Sequence, residues 1–542
     1  STDYQNQQMN TSVTGLTSGG WVAVWESYTG STNKYDIFGQ IFYPDGTRNG
    51  SQFKINGIND EQQNQSFPFV IGTIKPNSGR FLVIWSSETS TPGEYNIRGQ
   101  IYDADLPEEN RKIMSDDIEI NSHITNINKF PRACSLNIPS QNYPYGIVWS
   151  SNYPTGGVNN YCYLQILSFN GNIQNEEFLV YNPPISLSQT YPDITALAVD
   201  DPILPGGFVV GFMCEYDTNL FDIRYQLFDS SFAKYGDTVL ISKSETIYGI
   251  NSSKTYGRLS LKCLTNTSQG KGFIVTYNQS YKGDNSVLNQ TDTLTGLTSL
   301  AIGQITNIDL INTNTITINL LSGMFLEGEE FITNLSARIE RIESISYISG
   351  NSYEIILSND VKTIKANKFI TSSTTPVFTI NSVNTKPFVD DQELQIQDPS
   401  EQYSLPVITE TYDNNFVIAW ANGKVPNIYY QKFNSDTGDK IGNEILVQPS
   451  NKGISMRNPS ISYVYNKNIQ DQGLVLCYDA ETFDTSKRGV FAELINNDNP
   501  LMKVWNGISS TVITNQGSLG LGTSKPDSSI HIKNDNPGII LQ

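Results

Sequence analysis

Apolar residues recur along this chain in short dense runs rather than at helical spacing. Residues 19–29 read GGWVAVWESYT, an apolar run that closes on a tryptophan and opens into small polar residues, and a near copy, GRFLVIWSSET, occupies 79–89. The run continues as YGIVW, FVVGF, FIVTY, FVIAW and LVLCY. Trp25, Trp85, Trp149, Phe212, Tyr277, Trp420 and Tyr478 thus mark one position, at spacings of 60, 64, 63, 65, 143 and 58 residues. A run apolar at every step predicts a strand buried on both faces. After each marker comes an alternating strand with Gln40, Gln100, Gln165, Gln226, Gln304 or Gln431 in one slot, and Glu493 in the last unit. A fourth element follows (FKIN, IEIN, FLVY, VLIS, LQIQ, ILVQ, MKVW), and a weaker strand such as SVTGL, FPFVIG or PSISYV precedes each marker. The links are rich in Gly, Pro, Asn and Asp, the chemistry of hairpins.

A four-stranded meander cannot bury two apolar faces by itself, whereas meanders stacked around an axis bury them against one another. The pattern therefore predicts an all-β fold: a seven-bladed β-propeller with an inserted small β-barrel or sandwich and a C-terminal fibre-like β extension. The expected division is propeller over 1–305, inserted β domain over 306–380, the remaining propeller over 381–510, and a fibre-like tail or linker over 511–542. The aromatic markers are expected in the core between blades, and the repeated Gln as a hydrogen-bonding residue between blades.

Charge narrows the partners. With 35 basic against 54 acidic residues and a formal charge of −19, the chain is a poor match for a phosphate backbone, so no nucleic acid is expected. No run of eighteen apolar residues exists, so the chain is expected not to span a membrane. Cys134, Cys162, Cys214, Cys263 and Cys477 are widely separated, with no Cys-x-x-Cys pair. The opening STDYQNQQMN lacks an initiator Met and a signal-like start, which reads as a processed product or a piece of something longer.

The last residues carry a resemblance. In GSLGLGTSKPDSSIHI (517–532), Gly520, Gly522, Thr523, Pro526, Ile530 and His531 fall on a pattern that resembles a segment of phage tail fibres and giant-virus surface proteins. Leu521 stands where Ile is commoner, and the chain stops before the chaperone tail that often follows there. The propeller repeat itself is similar to repeats of large surface adhesins. The resemblance implies a structural or adhesive fibre subunit on a virion surface or outside a cell, with no enzymatic activity. It further implies self-assembly through those six tail residues into a homo-oligomer or filament, and cell-surface glycans as a further partner.

Catalytic chemistry is thin in the sequence. The two histidines, His123 and His531, form no recognisable relay, and the Ser-x-Asp-x-Gly-x-x-Trp box of sialidases is absent. Asp390, Asp391, Glu410 and Asp217 are acids that paired-carboxylate chemistry could use, although a solvated surface acid explains each far better. YPDGTRNG (43–50) lacks the acid series of a calcium loop and reads as a hairpin turn. No metal or other cofactor is expected. The polar loops after the marker strands favour recognition, with Tyr28, Tyr153, Tyr216 and Tyr281 able to stack on sugar rings. Eight Asn-x-Ser/Thr sequons, at Asn10, Asn49, Asn64, Asn251, Asn266, Asn278, Asn289 and Asn334, are near chance in so polar a chain. The alternative to a fibre is a secreted propeller enzyme acting on polysaccharide. Acids of strongly shifted pKa in the channel would favour the enzyme; a terminus inserted in a neighbour's sheet would favour the fibre.

Overall fold

The structure is a computed structural model that describes residues 7–29, 34–57, 63–124, 126–154, 160–182, 188–217, 220–242, 254–264, 272–282, 293–296, 299–308, 315–327, 330–333, 339–357, 360–371, 376–378, 406–411, 413, 415–422, 427–435, 440–447, 453–464, 473–482, 488–496, 503–505, 510–513, 519–521 and 530–532. Among the described residues the fold is all β, with 3-10 turns at Glu108–Asn110 and Pro139–Gln141 and no helix long and apolar enough to cross a membrane. The first sheet holds Gln8–Gly15, Trp21–Thr29, Lys34–Phe42 and Phe53–Lys54 in chain order; the second holds Gln65–Gly72, Arg80–Glu88, Tyr95–Asp103 and Ile118–Glu119. The leading strands of the next five sheets are Asn128–Ser135, Gln189–Ala196, Lys254–Leu264, Val407–Glu410 and Gly453–Val464. These leading strands pack side by side in chain order, and that of the seventh sheet packs on that of the first. Four-stranded sheets so arranged fit the blades of a β-propeller.

The marker strands show why the apolar runs are continuous. Side chains alternate across a strand, so Val22 and Val24 join Val70, Phe81, Val83 and Trp85 of the second sheet, while Trp21, Ala23 and Trp25 join Val475 and Cys477 of the seventh. Trp85, Trp149 and Trp420 are among the largest fully buried side chains.

Leading strands leave one backbone edge unpaired, a cost of about 1–3 kcal/mol for each buried N–H left without a partner. Side-chain oxygens of one leading strand meet the N–H groups of a neighbouring one. Ser12 and Thr14 accept from Val70 (3.2 Å) and Gly72 (3.0 Å), and Asp193 and Thr195 accept from Leu261 (2.7 Å) and Cys263 (3.1 Å). Ser460 and Ser462 of the seventh sheet accept from Val13 (3.0 Å) and Gly15 (2.9 Å) of the first. Gly15 admits no side chain, because a Cβ there would lie 1.8 Å from the Tyr463 carbonyl oxygen.

Three expectations change. The repeated Gln works inside its own sheet: the Nε2 of Gln40 donates to the carbonyls of Ile41 and Gly50, that of Gln226 to Leu227, Tyr235 and Gly236, and that of Gln431 to Lys432, Ile441 and Gly442. It ties the third strand to the chain entering the fourth. Gln304 does not belong to this column. It lies exposed in a closed barrel of Thr293–Gly296, Ile302–Ile308, Thr315–Ser322, Glu330–Thr333, Ile339–Ser349 and Ser352–Leu357, packed around Leu294, Ile318, Phe331 and Ile355. The barrel begins and ends before the expected 306–380 and interrupts the fifth sheet after its second strand, not its third. The third strand is Asp360–Thr371, whose Lys368 pairs with Val275 as Gln40 pairs with Ala23. The fourth is Pro376–Phe378, while LQIQ lies outside the described residues. Finally, a separate fibre-like extension was expected over the tail, where the strands Leu519–Leu521 and Ile530–Ile532 lie. They extend the seventh sheet instead, Gly520 pairing with Val512 and His531. Gly522, Thr523 and Pro526 lie outside the described residues.

Candidate functional site

Near the start of several leading strands the ladder slips by a bulge, and a non-glycine residue takes a left-handed conformation: Asn10 (φ 53°), Phe67 (54°), Phe130 (58°), Tyr191 (50°) and Asn458 (50°). Such residues cost of order 1–3 kcal/mol each and persist only where their surroundings hold them. Bulges also re-aim side chains, here around the axial channel that the leading strands enclose.

Where the seventh sheet meets the first, two carboxyls hold these bulges. Glu26 Oε1 accepts from Asn10 Nδ2 (2.9 Å) and from the Phe67 backbone N–H (2.5 Å). Asp479 Oδ1 accepts from Asn458 Nδ2 (2.8 Å), and Asp479 also receives the Asn10 backbone N–H. Asn458 Nδ2 reaches Asn10 Oδ1 at 3.3 Å, so that two amides bridge the two acids. Each acid lies one residue after its marker aromatic, on the marker strand.

Burial pushes the Glu26 carboxyl up to about 7, against the opposing pull of its bonds from Asn10 and Phe67, and the Asp479 charge pushes the same way. Burial likewise lifts Asp479 to about 7, opposed by Asn458 and Arg457. Further along the channel burial raises Asp193 to about 6, opposed by the Arg132 guanidinium and the Leu261 N–H.

Glu26 lines a cavity of about 320 Å³ together with Tyr35, Tyr95, Lys129, Arg457 and Arg488, with Asn10, Asn64, Gln65 and Asn458 supplying amides. Lys129 Nζ sits 4.2 Å over the Tyr95 ring, and Tyr35 donates its hydroxyl to Gln7 Oε1 at 3.0 Å. A second cavity of about 240 Å³ runs along the channel, shares Asn10, Phe67 and Asn458 with the first, and carries Arg132, Asp193 and Lys262. The arrangement offers a proton-bearing carboxyl, aromatic faces and cations to a polar ligand.

The expected stacking tyrosines are placed as follows. Tyr28 lies next to the end of its marker strand, edge-on to Tyr35 with ring centroids 5.4 Å apart, and is not among the residues lining the cavity. Tyr153 stacks on His123 at 3.5 Å in a separate cluster, where His123 Nδ1 contacts Glu177. Tyr216 and Tyr281 belong to the strands Phe208–Asp217 and Gly272–Lys282, and their side chains lie outside the described residues. Of the acids weighed from sequence, Glu410 ends Val407–Glu410 and Asp217 ends Phe208–Asp217, while Asp390 and Asp391 lie outside the described residues. Glu26 and Asp479 went unnoticed. The signal that could have found them is the position after the marker, acidic in the first and seventh repeats and in no other. Residues 43–50 form a turn in which Asp45 Oδ1 accepts from the Thr47 N–H at 2.9 Å. All five cysteines are buried.

No protein-family model and no curated protein matches the sequence. Among solved structures, an α-L-arabinofuranosidase from Lactobacillus brevis shares 12% identity, with 51% of this chain and 84% of that one covered, at a TM-score of 0.30. A GH43 endo-arabinanase from Bacillus licheniformis shares 12%, covering 52% and 91% at 0.27. A protein of unknown function from Dyadobacter fermentans DSM 18053 shares 8%, covering 79% and 94% at 0.37. The expectation of a structural fibre subunit without enzymatic activity is corrected on this point. Of the three, the two with a stated activity are an arabinofuranosidase and an endo-arabinanase, and that activity is said of those proteins alone.

Proposed function

We propose that the chain is a polysaccharide-cleaving enzyme that works outside the cell, at the channel mouth of a seven-bladed propeller, with Glu26 as the proton donor. The observation that carries this reading is the Glu26 carboxyl, raised to about 7 while lining the mouth cavity. A carboxyl that keeps its proton near neutrality can protonate the oxygen of a departing sugar while a water adds its oxygen to the anomeric carbon and gives up a proton to solvent. Asp479 does not reach the cavity wall; its role is to hold Asn10 and Asn458 in place and to oppose ionisation of Glu26. Tyr35 and Tyr95 supply faces for sugar rings, and the cavity amides supply partners for hydroxyls. The fibre-like motif has no part in this role.

The test is release of reducing ends, or of unsaturated ends by absorbance, from a panel of polysaccharides. Glu26→Gln keeps an acceptor for the Asn10 and Phe67 donors but has no proton to give. Activity should fall about 100-fold or more, with the melting temperature within a few degrees of the parent. Undiminished cleavage by Glu26→Gln would remove Glu26 from the mechanism, and no cleavage of any polymer by the parent chain would end the reading.

A further inference from the structure

The charges around the axis run against those of the molecule. The mouth cavity is lined by Lys129, Arg457 and Arg488 against Glu26, and the channel below by Arg132 and Lys262 against Asp193. Arg488 reaches the cavity from ion pairs with Asp479 (3.5 Å) and Glu481 (3.9 Å). With those two acids included, cations still lead five to four along the axis, whereas the whole chain carries 35 basic and 54 acidic residues. Three of the four acids are raised toward neutrality, so they cancel less charge near pH 7 than their number implies. The cations come from opposite sides of Glu26: Lys129 from the third sheet, Arg457 and Arg488 from the seventh. A concave site whose charges sum to an excess of one sign concentrates ligands of the other sign.

From this placement we infer that the polymer taken up at the mouth is an acidic one, its sugars bearing carboxylates that Lys129 on one flank and Arg457 and Arg488 on the other receive. The inference rests on the proposed carbohydrate site and names its substrate class. Guanidinium groups meet carboxylates in a two-point geometry that neutral hydroxyls do not match. An acidic chain laid over the mouth would place uronate carboxylates on both sides of the bond presented to Glu26.

The test measures binding and cleavage separately, using the full chain with polygalacturonate, alginate and hyaluronate and with the carboxyl-reduced form of each. At low salt at least one acidic polymer should bind ten-fold or more tightly than its reduced form, and 0.5 M NaCl should remove most of that difference. Lys129→Gln, at a partly buried position in the cavity wall, should weaken the acidic polymer several-fold more than it weakens the reduced form. Equal or tighter binding of the reduced forms, or no binding of any acidic polymer, overturns the inference. Cleavage confined to neutral polymers also overturns it but leaves the proposed enzyme standing. Tight, salt-sensitive binding without cleavage supports the acidic ligand and removes the catalysis.

Discussion

Glu26 and Asp479 occupy one step of the repeat, where Ser86, Ser150, Met213 and Ala421 stand in other sheets. A hydroxyl or methyl there is inert to pH; a buried carboxyl is not. Both acids hold their protons to about 7 in the fold, whereas an unfolded chain loses them near 4. Unfolded chains therefore release these protons first as pH rises. The stability linked to the two groups is fully present below pH 4 and is lost progressively up to pH 7. The melting temperature should accordingly drop between pH 5 and pH 7.5, and Glu26→Gln should shrink that drop; a scan in which the two proteins keep parallel profiles refutes the shift. At the marker itself the effect is one of packing. Trp85 is fully buried and its indole N–H donates to Gln65 Oε1 at 2.8 Å, so Trp85→Ala should cost about 3–5 kcal/mol in urea unfolding. The marker was legible in the sequence because two-sided burial leaves a run without polar gaps. The acids were legible only as an acidic step after the marker in the first and seventh repeats; the burial that keeps their protons on arises where those two sheets pack together.

The strands differ in how plainly they announce themselves. Marker strands and their partners were readable in six sheets from the hydrophobic period and the Gln column. The fifth sheet misled because GQI recurs in the barrel strand Ile302–Ile308, while the true third strand, Asp360–Thr371, carries Lys368 in the Gln slot. The insertion leaves and re-enters at one place: Lys282 pairs with Asp360, at the ends of adjacent antiparallel strands. Antiparallel partners lie about 5 Å apart, a gap a short turn spans. Replacing the barrel, 293–357, by a Gly-Asn turn with trimmed flanks should leave a cooperatively folded chain with near-native circular dichroism. A molten product would mean that the barrel helps to hold the fifth sheet together.

Around the whole molecule, apolar layers repeat from sheet to sheet, and the side-chain-to-backbone ladder recurs between the first and second, the fourth and fifth, and the seventh and first sheets. The ring closes through Ser460 and Ser462 on Val13 and Gly15, with Trp25 and Cys477 in the layer between. Residues from opposite ends of the described chain are thereby brought into one hydrogen-bonded cluster, Glu26 with Asn10 and Asp479 with Asn458. This has a consequence for synthesis. Sheets can assemble in turn as the chain emerges from the ribosome, but a nascent chain carrying Glu26 has neither Asn458 nor Asp479 until the seventh sheet is made. The carboxyl pair is therefore among the last features to mature, and a chain halted after the sixth sheet holds most of the fold without the paired acids.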